Sequence, residues 1–386
     1  MQNDFHYYAT YCAALLAGYN HSESLDICYS AQFVDWCSRT LLSGIKAPPE
    51  AATTTLNLEL VDTNPDLAGL QMITRIWTSF HFLPGNIYAH KKGCGKRYLN
   101  KYRLICNTNS NLLVETVKLA KGSSLQAAGM VMHVLADTWA HKYFSGNPSL
   151  AINNIDGDVT EILEDGERIV SFKHTPGSRD NIEKGKYSNT IYQNNENSIM
   201  NLGHGRLGHM PDYSFLRYRY MPAWANYDEF LKDNPSDYYN AFCQMIYAMK
   251  YLRGEYETFE KDRYDYEAAA DVKDEIQTLL NTRQTEGAAC LAWKALGEKL
   301  SGETIPNFSL ETYQQEYIDA VGDEKDNTFL GKFIIAALKQ KSMVTNKIYK
   351  SGNRLAGYSI DFEKKGFKGI KAYMKLVEHA GRGSDE

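Results

Sequence analysis

A chain of 386 residues with 43% hydrophobic side chains can bury a large core, as one large domain or two of ordinary size, and its 42 basic and 47 acidic residues leave a net charge of −5. That balance gives no basic footprint for a phosphate backbone and argues against tight, non-specific nucleic-acid binding, while small anionic substrates stay open. No apolar run approaches the ~18 residues of a membrane span, and acidic and polar residues stand near the start where a signal peptide carries a basic segment, so a cytoplasmic protein is expected.

Helical periodicity dominates. Apolar residues recur at helical spacing in segments near 6–19, 22–42, 66–82, 111–120, 123–144, 191–203, 236–253, 256–282, 284–300, 309–320, 327–349 and 361–380. One strand signal stands out: Thr160 to Leu163 turns through Glu164-Asp165-Gly166-Glu167 into Arg168 to Phe172, a hairpin within a polar insertion spanning about 145–190. The expected fold is therefore all-α, with a small β-hairpin insertion. After Gly254 the composition shifts toward charged, solvent-facing helices, which places a boundary between a metal-binding region (1–254) and a C-terminal helical region (255–386) acting as cap or partner surface. Seven scattered cysteines without a Cys-x2-Cys pair read as free thiols.

The most informative stretch lies in the 123–144 helix. Ser123 or Ser124 can cap it, and it is apolar on nearly all sides, which marks a buried helix. Its interior reads His133-x3-Asp137-x3-His141, and residues four apart drift only about 40° around a helix, so the three side chains share one face. A buried aspartate needs a partner, a hydrogen bond or a cation. A His–Asp pair that only fixes helix packing is the bland alternative, and a third member on the same face weakens it.

Further candidates cluster in the first 212 residues. Asp4 and His6 open the first helix, and Asp35 occupies a core position in the second, where a satisfied hydrogen bond is the competing account. His81 stands between Phe80 and Phe82 at a helix end, a place where a packed histidine is common. His204, Arg206, His209 and Asp212 share a glycine-rich segment that lets backbone approach a ligand, or simply turns. His21, His90 and His174 read as surface residues. The set offers nitrogen and carboxylate ligands without thiolate, which suits zinc or another divalent metal, and it exceeds what one ion uses, so two or three ions are implied.

In their order these motifs resemble the zinc-dependent phospholipase C and fungal single-strand nuclease superfamily, over about residues 1–215. The resemblance implies an all-α core and a buried helix supplying His133, Asp137 and His141, with Asp137 bridging two metals. It assigns Asp35 and His81 as the upstream ligands and His209 with Asp212 downstream, His204 competing with His209. Its first ligands come from the N-terminus, where Asp4 and His6 stand; secreted members use a free amino group there, and a chain without a signal would use Asp4 or a different arrangement. Over its whole length the chain also resembles a group of uncharacterised bacterial proteins.

The resulting expectation is a metal-dependent phosphoesterase. Asp137 would bridge the metals, Asp35 would be ligand and proton acceptor, and Arg206 or Arg75 would bind a phosphate oxygen. Tyr213, Tyr218, Tyr220 and Tyr227 either stack on a base, line a lipid cleft or pack against neighbouring elements. Substrates range over nucleotides, nucleic acid and phospholipid head groups, with a soluble small phosphodiester favoured. Two alternatives stand: a one- or two-metal hydrolase, which calls for an adjacent His-Asp pair that this chain lacks, and a non-enzymatic helical binding or assembly protein with a structural polar core.

Overall fold

The computed structural model describes residues 1–62, 66–175, 177–360 and 369–382. The helices in chain order are α1 (Thr10–Leu16), entered directly from a π-helical segment (Asp4–Ala9), α2 (His21–Phe33), α3 (Arg39–Gly44), α4 (Asn57–Asp62), α5 (Leu67–Phe80), α6 (Lys96–Tyr102), α7 (Asn111–Ala120), α8 (Leu125–Ala140) and α9 (Leu150–Asn153). After a β-rich stretch follow α10 (Asn234–Arg253), α11 (Lys273–Asn281), α12 (Glu286–Ser301), α13 (Gln314–Asp319), α14 (Phe329–Lys350) and α15 (Gly369–Arg382). Residues 361–368 of the expected last helix lie outside the described residues.

Helix α8 is the axis of the molecule. The Ser124 hydroxyl accepts from Ala127 N–H at its start, and every residue from Gln126 to Ala140 is buried, as an all-round apolar sequence requires. Around it pack α2, α5, α7, α10 and α14. The contact with α2 depends on Gly129: a Cβ there would come within 2.1 Å of the Ile27 carbonyl oxygen, closer than any real side chain can stand. The two backbones thus touch, and this brings the end of α2 alongside the middle of α8.

One hydrophobic cluster runs from Met1 through α8 and α10 into α12, α14 and Tyr373. Helix α12 packs on the π-helical segment, with Trp293 against Phe5 and Phe242. Gly254 ends α10 in the left-handed region, φ 93°, so the chain turns back there onto the same core.

The all-α expectation is overturned by a four-stranded antiparallel sheet, ordered β2-β1-β5-β6, and a two-stranded parallel pair. Its strands are β1 (Ile155–Leu163), β2 (Gly166–Ile169), β5 (Arg217–Pro222) and β6 (Phe230–Asp233); β3 (Ser171–Lys173) and β4 (Lys186–Ser188) form the pair. The protein is helix-dominated but mixed. The expected hairpin is present in part, with Leu163 opposite Gly166 and Thr160 opposite Ile169, but its second strand starts inside the expected turn and ends at Ile169, and Ser171 and Phe172 pair with β4 instead. The surprise is β5: Arg-Tyr-Arg-Tyr-Met-Pro alternates, and Tyr218 and Tyr220 point into a second small core with Phe144 and Val159. Those tyrosines fill a sheet face and are closed to a base or lipid. Residues 191–203 form extended chain and a 3₁₀ turn instead of a helix, and helix in 256–282 starts only at the 3₁₀ turn Ala270–Val272. Among the described residues no helix is long and apolar enough to cross a membrane, and all seven cysteines are free.

Candidate metal centre

His133, Asp137 and His141 emerge from successive turns at the C-terminal end of α8, His141 being its capping residue. All three are buried, and Asp137 is only 1% exposed. Three neighbouring elements meet this face. Helix α2 and the turn after it bring Asp35, α5 ends in His81, and the π-helical segment brings His6, whose ring stacks on that of His133 at 3.8 Å. On the far side the loop between β4 and β5 adds His204 and Asp212. Its path requires Gly208, with φ 56°, where a Cβ would lie 1.9 Å from the Ser188 carbonyl oxygen.

The outer nitrogen of most of these rings is held by a backbone carbonyl. His133 Nδ1 donates to Ala31 O (2.9 Å), His81 Nε2 to Thr53 O (3.0 Å), His141 Nδ1 to His81 O (2.8 Å) and His204 Nδ1 to Gly208 O (2.7 Å). A carbonyl only accepts, so each of these nitrogens carries the proton and the opposite nitrogen of a neutral ring presents a lone pair. Those lone pairs converge. His133 Nε2 and His81 Nδ1 each lie 3.1 Å from Asp137 Oδ2, and 3.2 Å from each other. His6 Nε2 lies 3.1 Å from Asp137 Oδ1. His141 Nε2 and His204 Nε2 lie 3.3 and 3.6 Å from Asp212 Oδ1. Asp35 Oδ1 is 3.8 Å from both His81 and His133.

One cation already stands among them. The Met1 α-amino nitrogen donates to Asp137 Oδ1 at 2.9 Å, and it lies 3.3 Å from both Asp212 Oδ1 and His141 Nε2. Burial pulls the amine's pKa down, but Asp137, Asp212 and Asp35 outweigh it and hold the group up at about 11. Burial raises the carboxylates of Asp137 and Asp212 too; the rings and the amine more than reverse this and leave both well below the usual range. Asp35, which lacks an equally close cation, is raised by burial. The His6, His133 and His204 rings are pushed down to about 4, chiefly by burial, and stand neutral.

Three carboxylates face one ammonium, and acceptors face acceptors. Without further positive charge that is a costly arrangement for buried groups. The same atoms sort into three sets whose members lie within 4.8 Å of one another: His6, His133 and Asp137; Asp35, His81 and His133; and His141, His204 and Asp212. Each mixes imidazole nitrogen with carboxylate oxygen, the donor types of zinc and related divalent ions, and the carbonyl behind each of four rings is the usual orienting partner of a ligating histidine. The residues therefore fit cations. The centre opens on one side: the side chain of Asp35 is 31% exposed, His204 16% and His209 62%.

Of the ten ligand candidates read from the sequence, eight meet here: His6, Asp35, His81, His133, Asp137, His141, His204 and Asp212. Two do not join the three sets. Asp4 is buried to one side, its Oδ1 without a hydrogen-bond partner, and burial and Glu286 lift its carboxyl to about 7. The Met1 α-amine stands beside Asp137 where Asp4 was expected, a place that the sequence, read as a chain without a signal, assigns to Asp4 or a different arrangement. His209 sits at the rim and directs Nδ1 to Asp212 Oδ2 at 3.2 Å, which raises its pKa; His204 takes the inner place. Neither arginine is at the centre. Arg206 is buried, with its guanidinium bound to Ile191 O, Gln193 O and Asn201 Oδ1, so it shapes the loop. Arg75 donates to Ala356 O and Tyr358 O. Tyr213 bonds Asp180, and Tyr227 is exposed.

Comparison with known proteins places the chain without assigning it an activity. No curated protein and no solved structure matches it. Residues 1–348 match the Family of unknown function (DUF6765), and the chain belongs to that family.

Proposed function

We propose that the protein is a zinc-dependent phosphoric ester hydrolase with a trinuclear centre. The observation that carries the reading is the convergence of five imidazole nitrogens, three carboxylates and the Met1 amine into three adjoining sets, with Asp137 placed to serve two of them through its separate oxygens. The likeness in motif order to the phospholipase C and single-strand nuclease superfamily points the same way for His133, Asp137, His141, Asp35 and His81, while His209 and Asp4 stand outside the three sets.

Cations held there would supply Lewis acidity for activating water and for neutralising charge on a phosphate. The chain's own residues do the rest. His6, His133 and Asp137 form one pocket, which the Met1 amine would join on giving up its proton; Asp35, His81 and His133 form the second, with Asp137 Oδ2 beside it; His141, His204 and Asp212 form the third. Divalent ions in all three exceed the charge of three carboxylates, and that surplus suits an anionic ester. Asp35, at the open edge, is placed to accept a proton from an attacking water. The shortage of basic surface favours a small phosphodiester over long nucleic acid.

The test is metal analysis of protein purified without chelator or histidine tag, beside His133→Ala, followed by assay on bis(4-nitrophenyl) phosphate. Two or three zinc ions that fall sharply in the variant, with hydrolysis that falls alongside, are expected. A wild type without metal that cannot be reloaded would favour a binding protein with a structural polar core.

A further inference from the structure

A concave site lies apart from the residues of the metal centre. It is a cleft of about 520 Å³ between α3, α5, α14 and α15, within the usual size range of small-molecule pockets. None of its lining residues belongs to the metal centre. Its walls are apolar where Met72, Ile76 and Val377 face it, and among the described lining residues three cationic side chains, Arg39, Arg75 and Lys341, stand with one acid, Glu50.

Lys341 defines the floor. Its ammonium donates to Glu50 O (2.6 Å) and Ala52 O (2.5 Å), which uses two of three donors on neutral carbonyls, and burial pulls its pKa down to about 7. Arg75 is fixed beside it by Ala356 O and Tyr358 O. Arg39 and Arg75 outnumber Glu50, Lys341 adds a charge that titrates near neutrality, and the apolar carbon beside them makes the cleft a counter-charge for an anion attached to a hydrophobic body.

We infer that this cleft binds a small amphiphilic organic anion, its carboxylate or phosphate head on Lys341 and Arg39 and its apolar body along Met72 and Ile76. The site is independent of the hydrolase reading, because its ligand need not meet the metals.

The test is calorimetric titration of the full chain with octanoate, octyl phosphate, octylammonium and octanol. One anion per chain is expected to bind at least about ten-fold more tightly than octylammonium or octanol, and Arg39→Glu and Lys341→Met are each expected to weaken it by a similar factor. Tighter octyl phosphate identifies a phosphate head; tighter octanoate identifies a carboxylate. Arg39 is exposed at the rim, so its variant keeps the test informative if Lys341→Met fails to fold. Equal binding of all four probes, binding of none, or anion binding unchanged in Arg39→Glu, as binding at the metal centre would give, overturns the proposal.

Discussion

Asp137→Asn preserves the shape of the side chain and removes its charge. The wild-type carboxylate stands 2.9 Å from the Met1 amine, 3.1 Å from ring nitrogens of His6, His81 and His133 and 3.5 Å from that of His141, five partners against four for Asp212. An amide offers one oxygen where the carboxylate offers two, and at least one equivalent of zinc should be lost. A native-state ligand present at a thousand times its Kd adds about 4 kcal/mol of stability. A chain of 386 residues unfolds with an entropy of about 0.8 kcal/mol/K, so each cation lost lowers Tm by about 5 °C. Scanning calorimetry with and without EDTA should therefore show a chelator response smaller by about 5 °C in the variant. The metal-free variant should also melt below the metal-free wild type, because the amine's buried partner is gone and breaking such a pair costs about 3–5 kcal/mol. Hydrolysis should be abolished. A variant with full zinc and the wild-type response to EDTA would refute the role of Asp137.

His204→Ala should lose zinc, whereas His209→Ala should retain it, since only the His204 ring sits in a ligand set; equal metal contents in the two would reverse the assignment. Residues added before Met1 block the α-amine and displace it from Asp137, and a chain so extended should carry about one cation fewer than the free-amine form by plasma mass spectrometry; an unchanged count would show that the amine is no ligand. Truncation after Gly254 removes α12 from the segment that carries His6 and α14 from α8, so the fragment should be insoluble or metal-free. A soluble 1–254 fragment with the full complement would refute that dependence.

What was legible in the sequence follows what a side chain can announce. The α8 motif was visible because ionisable residues interrupt an apolar stretch, and Asp35 because it breaks an apolar stripe. His81 and His6 were visible as companions within apolar frames. The choice between His204 and His209 was not legible: the His204 ring is held by the carbonyl of Gly208, on a loop path that needs the bare backbone there. Arg206 misled because a guanidinium can be satisfied by loop carbonyls as well as by a phosphate. The sheet was hidden by its brevity. β6 has four residues and β5 six, and the alternating tyrosines of β5 also suit packing between helices.

The anchors explain why motif order alone underdetermines such a centre. A helix can place His133, Asp137 and His141 on one face, but it cannot orient its own rings, because its carbonyls are spent within the helix. Orientation comes from outside, from Ala31 O on α2 and His81 O after α5, and neither atom has a signature in the sequence. These anchors also tie the pockets together. His81 presents its ring to Asp137 and its carbonyl to the His141 ring, so one residue sets a ligand in each of two sets. Helix α2 likewise carries the anchor of His133 and leads into Asp35, and its seat on α8 depends on the bare backbone at Gly129. A shift of α2 or of the end of α5 therefore disturbs two ligands at once, and the centre is built to assemble as a unit.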